Sequence, residues 1–189
     1  DDAIFLLGKA HQGAGDHLLA REEFDRLLRD FPQSEHREAA QFERAISWLA
    51  EVRGPALDPQ PTEEALEALR TYLRLYPEGG WRTQAEAGIA KCLDRLAVKS
   101  CLNGETYLRL GHPEAALIYF EKSLEILPTS SRAGEALLGL GRAHEARGDL
   151  PAAREAFERA LAYATSEGAN GNGGLRDVRR DAEEALARL

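Results

Sequence analysis

The chain has 189 residues, 43% of them hydrophobic, and a formal net charge of −8. That is enough apolar side chain for a folded core, and the wrong sign of charge for a nucleic-acid or anionic-membrane surface, both of which call for clustered Lys and Arg. No apolar run approaches the roughly 20 residues of a membrane span, and no signal peptide is visible.

The first two predicted helices cover residues 3–13 and 18–29, with Leu7, Gly8, Ala20, Phe24 and Pro32 at set spacings. The same offsets return as Gly104, Tyr107, Gly111, Ala116, Phe120 and Pro128, and again as Leu140, Gly141, Gly148, Asp149, Ala153 and Phe157. A unit of roughly 34 residues with these small, aromatic and proline positions is a tetratricopeptide (TPR) hairpin. The fold class is therefore all-α, a TPR-like helical-hairpin solenoid. Glycine in the first helix and alanine in the second allow a close crossing, and the phenylalanine one turn later fills the wider gap. Gly15-Asp16 and Gly148-Asp149 predict left-handed turns followed by a helix cap, and Pro32, Pro77 and Pro128 stop the second helices.

The second hairpin begins near Glu38, where Gln41, Arg44, Ala45 and Trp48 take the offsets of the first helix and Ala45 replaces the crossing glycine. Residues 52–61, with Gly54, Pro55, Pro59 and Pro61, predict a non-helical insertion; Thr62 then opens a helix whose Ala65, Leu69, Tyr72 and Pro77 restore the repeat. Residues 1–80 are thus the N-terminal repeats. Within residues 81–111, positions 83–110 carry no proline, and only Gly88 and Gly104 weaken a continuous helix of roughly 40 Å. Ala90 and Gly104 both fall at crossing positions, which predicts one long helix shared by two repeats and a rigid bent scaffold. The C-terminal repeats occupy residues 112–164. The glycine-rich residues 165–174 predict a mobile loop, and residues 175–189 a capping helix with Val178, Ala182, Ala185, Leu186 and Leu189 on one face. The whole is a single TPR-type solenoid. The start lacks such a polar cap and the chain has no methionine, so it is expected to be a trimmed piece that has lost an earlier repeat.

Convergent ionisable groups are not visible. The five histidines are scattered, with no pair at the i, i+4 spacing of metal ligands. His11 and His144 fill the repeat position that Trp48 and Tyr107 also occupy, which indicates packing. The glycine run around Gly171 follows no strand and lacks the lysine of a phosphate loop. Cys92 and Cys101 lie about 13 Å apart along one predicted helix, beyond disulfide reach, and are expected to be buried thiols. No catalytic, cofactor-binding or metal-ligating residue is assigned, and the chain is expected to be a non-catalytic protein-binding scaffold. Phe42, Arg44, Trp48, Arg95 and Tyr107 are placed by offset along a groove formed by the first helices, although Trp48 and Tyr107 also fit an interior role. Arg44 and Arg95 suit a carboxylate on a partner, or salt bridges to Glu43 and Asp94.

Several details go beyond a plain TPR array. They are the ending Asp30-Phe31-Pro32-Gln33-Ser34, the insertion with Leu57-Asp58-Pro59-Gln60, the stretch Leu73-Arg74-Leu75-Tyr76-Pro77, and the long helix with Leu93-Asp94-Arg95-Leu96-Ala97 leading through Glu105-Thr106-Tyr107 to Gly111. In this order they resemble the BamD family of outer-membrane assembly lipoproteins. The resemblance implies a non-enzymatic scaffold on the periplasmic face of the outer membrane, held there through an N-terminal lipid anchor absent from this chain. It implies two kinds of protein partner: a BamA-like POTRA domain docking on the C-terminal half, and unfolded outer-membrane proteins received by the N-terminal half. The docking helix of the family matches Tyr119, Glu121 and Lys122, and the family's arginine falls at Tyr119, where the same salt bridge cannot form. Without the resemblance, the repeats would suit a generic TPR adaptor for peptide tails or a regulatory TPR module of a larger protein.

Overall fold

The computed structural model describes residues 1–52, 54, 58–167 and 173–189, and among them every regular element is a helix. The chain divides into two compact units, Asp1–Arg95 and Leu96–Leu189. The first holds α1 (Asp2–Ala14), α2 (His17–Asp30), α3 (Arg37–Glu51), α4 (Gln60–Leu75) and the first part of α5 (Arg82–Arg109). The second holds the remainder of α5, then α6 (Pro113–Ile126), α7 (Ala133–Ala146), α8 (Leu150–Glu167) and α9 (Gly173–Arg188). These are helical hairpins of TPR type, and α5 runs without interruption from one unit into the other.

Three of the hairpins close where a missing side chain meets a ring. A Cβ at Gly8 would lie 2.6 Å from Phe24, and one at Gly104 would lie 2.7 Å from Phe120, too close for carbon atoms to approach. Gly141 meets Phe157 in the same way. Phe24, Phe120 and Phe157 are fully buried, as are the facing Ala20, Ala116 and Ala153, and each buried ring contributes on the order of 2 kcal/mol. The second hairpin carries Ala45 and Leu69 at the matching positions, both fully buried. Leucine is smaller than phenylalanine, and the exchange leaves volume for the extra methyl.

A second glycine, two positions before the crossing, packs α5 and α7 each onto the preceding hairpin. Gly139 of α7 abuts Phe120 of α6, and a Cβ at Gly88 of α5 would lie 2.8 Å from Leu69 of α4. Gly88, not Ala90, is therefore the contact residue of the first part of α5. Ala90 is exposed, because α5 continues as one helix there and α6 folds back only on its later part, at Ala97, Ser100 and Gly104.

The expected turns hold Gly15 at φ 85°, Gly111 at 78° and Gly148 at 79°, a left-handed backbone that glycine adopts without a Cβ penalty. Asp149 then caps α8 through Ala152 N–H at 3.2 Å, whereas Asp16 makes no side-chain cap. The helices α2, α4 and α6 end one residue short of the position before Pro32, Pro77 and Pro128, as a residue preceding proline disfavours helix. Arg37 and Arg82, opening the next helices, each donate to the carbonyl of the foregoing proline, Pro32 or Pro77, at 3.2 Å.

The boundaries differ from the sequence expectation in three places. The helix expected to open at Thr62 begins at Gln60, with Asp58 accepting the Gln60 N–H at 3.0 Å and a proline in the first turn, where a missing N–H costs nothing. Pro61 is therefore helical, while residues 53 and 55–57 of the expected insertion lie outside the described residues. Both ends of the expected loop 165–174 are helical, since α8 extends to Glu167 and α9 begins at Gly173; residues 168–172 lie outside the described residues. The capping helix accordingly starts two residues earlier than expected. Val178, Ala182 and Ala185 form its buried face against Leu137, Leu138 and Phe157.

Candidate docking surface

In the first unit, the residues expected along a groove turn toward their own neighbours. Phe42 is only 6% exposed, stacked on Trp81 at 5.5 Å and meeting Tyr72 edge-on at 5.4 Å. It is a core residue and does not line a groove, because its place on α3 faces α4 and the start of α5. Arg44 reaches Asp25 of α2 at 2.8 Å rather than Glu43, which is bound by Lys9 at 2.7 Å. Trp48 is half-buried beneath Arg21, whose guanidinium lies 3.7 Å from the ring centroid. Arg21 is itself held by Glu51 at 2.9 Å and by the carbonyl of Ser47. Arg44 and Trp48 thus join α2 to α3. Arg95 is half-buried, with Nη1 shielded and unpartnered. Burial raises the nearby Cys92 thiol and the Arg95 charge partly offsets it.

In the second unit, two predicted residues come together. Tyr107 of α5 and Tyr119 of α6 stack with centroids 5.1 Å apart and planes 8° from parallel, both half-buried. The helices beneath them are tied by two serines, Ser100 donating to the Tyr119 carbonyl at 2.9 Å and Ser123 to the Ala97 carbonyl at 2.7 Å. Such paired bonds fix the register of α6 on α5 and satisfy both serine hydroxyls. Phe120, Leu117 and Ala116 face inward. The opposite face of α6 carries Ile118, 64% exposed, together with exposed Glu121, Lys122 and Glu125. The helical period demanded this split: with 116, 117, 120 and 123 buried, 118, 121, 122 and 125 must face water. Ile118 escaped notice in the sequence because a lone isoleucine in an otherwise apolar helix gives no sign of which side it takes.

Beside this face lies a cleft of about 240 Å³, floored by Leu124, Leu140 and Ala156 and rimmed by Glu121 of α6, His144 of α7, and Glu155 and Arg159 of α8. Among the described residues no group of three or more His, Cys, Asp or Glu is arranged to hold a metal ion, and no helix is long and apolar enough to cross a membrane.

The family model described as outer membrane lipoprotein, YfiO, matches residues 2–159. The chain belongs to the YfiO family. Its α6 surface and the whole of α5 fall within the matched span, which ends inside α8. Among curated proteins, the chain is similar to the outer membrane protein assembly factor BamD of Caulobacter vibrioides, 30% identical over 142 residues, which is 75% of this chain and 47% of that protein. It thus spans about half the length of the curated relative it matches. Among solved structures it is similar to the MamA protein, at 16% identity and a TM-score of 0.35, covering 91% of this chain and 96% of that one.

Proposed function

We propose that this YfiO-family chain is a protein-binding scaffold in the assembly of outer-membrane β-barrel proteins, acting at the periplasmic face of that membrane. Its C-terminal unit docks the POTRA-bearing barrel component, BamA-like in kind, through α6. The N-terminal unit receives unfolded outer-membrane proteins. Family membership and the likeness to an assembly factor support the setting. The observation that carries the docking role is the outward face of α6, where Ile118 stands 64% exposed beside the stacked Tyr107–Tyr119 pair. An exposed branched apolar side chain next to Tyr119 in sequence and bordered by charged residues has the composition of an interface centre. Glu121 and Lys122 lie in that rim and orient the partner. Arg44 and Trp48 belong to the N-terminal unit and act there by holding α2 against α3.

The test is binding of the purified chain to the periplasmic POTRA domains of the BamA protein of the same organism. Ile118→Ala with Tyr119→Ala is expected to weaken the association by about tenfold or more, the usual result of truncating central contacts, with helical circular dichroism unchanged. Association that is absent with the parent chain, or equal for the double variant, removes the reading.

A further inference from the structure

We propose that the cleft between α6, α7 and α8 is a receptor for an arginine side chain presented by the docking partner. The inference rests on the docking role of α6 and adds the chemistry that the partner must carry. Three observations converge on it. The cleft shares Glu121 with the outward face of α6, so a partner seated on that face reaches the cleft rim. Its floor of Leu124, Leu140 and Ala156 is apolar, which suits the aliphatic stem of a long side chain. Its rim holds two carboxylates, Glu121 and Glu155, both exposed.

Those two carboxylates decide the sign of the occupant. Exposed Arg159 offsets one of them and leaves the other in excess, so an incoming carboxylate would meet net repulsion and an incoming cation net attraction. Arginine fits better than lysine: its planar fork can bond two carboxylates at once and lie flat against the imidazole of His144 in the cleft wall.

The decisive measurement is an NMR titration of the full chain with acetyl-leucyl-arginine amide, with the citrulline analogue as an uncharged isostere. The arginine peptide is expected to shift the amides around Glu121, His144 and Glu155 and to saturate at about millimolar concentration, as befits a fragment without the rest of the interface. The citrulline peptide is expected to bind at least about tenfold more weakly, and Glu121→Gln with Glu155→Gln to abolish the difference between the two. Equal shifts from both peptides, shifts located elsewhere, or an unaltered preference in the double variant would overturn the inference. A POTRA complex that forms with undiminished affinity on the same double variant would also overturn it while leaving the docking role intact. Failure of the parent chain to bind POTRA domains, with the peptide preference retained, would remove the docking role alone.

Discussion

Tyr72 shows how much of the first unit hangs on single polar atoms. Its hydroxyl donates to Glu38 at 2.9 Å and accepts the Trp81 N–H at 3.0 Å, while Glu38 also accepts the Gly80 N–H at 2.8 Å. One carboxylate and one phenol therefore join α3, α4 and the turn that opens α5. Burial pushes the Tyr72 hydroxyl above its ordinary range, and the hydrogen bond to Glu38 pushes the same way. Tyr72→Phe keeps the ring but leaves the Trp81 N–H and Glu38 short of a partner, at a cost of about 1–3 kcal/mol in a chemical denaturation curve. A loss under a few tenths of a kcal/mol would mean that water replaces the hydroxyl. Cys101, fully buried, has its thiol pushed up to about 12 by burial, the nearby Arg132 acting weakly the other way. The folded chain keeps this proton between about pH 9 and 12 while the unfolded chain releases it. Stability contributed at neutral pH is thus lost as pH rises through that window. The unfolding midpoint is expected to fall there more steeply than in Cys101→Ala, and a thiol reagent at pH 8 to spare Cys101 until denaturant is added.

At the scale of the helix, three hairpins are specified by a glycine against a ring. Gly141→Leu must drive a branched side chain into Phe157, and is expected to destabilise the second unit by several kcal/mol, against a much smaller effect at exposed Gly13. Melting temperatures of the two variants check this; similar values would mean that α7 and α8 can separate without loss. These crossings were legible in the sequence because close approach admits so few residue types. Gly8, Gly104 and Gly141 were identified by spacing alone, and so were the prolines that end α2, α4 and α6. Ala90 was misplaced because small side chains also occur on wet faces, and the residue that touches α4 is Gly88. Phe42 and Trp48 were assigned to a groove for a similar reason. Offset along a helix gives the face, but whether that face meets solvent or another helix depends on neighbours remote in sequence. The cleft rimmed by Glu121 and Glu155 is assembled from three helices, and no local pattern announces it.

Over the whole molecule, the charge of −8 favours encounter with a basic partner at distances beyond direct contact. The rate of association with POTRA domains is expected to fall as salt is added, with the dissociation rate much less affected, in stopped-flow measurements. A rate insensitive to salt would mean that apolar contact at Ile118 alone governs encounter. The two tryptophans of the chain, Trp48 and Trp81, both fall within Asp1–Arg95, one under the Arg21 cation and the other against Phe42. Indole fluorescence is therefore a built-in beacon for the N-terminal unit and blind to the other, whose aromatic signal is tyrosine and phenylalanine. Excited where indole alone absorbs, one sample therefore reports how a partner or a denaturant disturbs the N-terminal unit, with no contribution from the other.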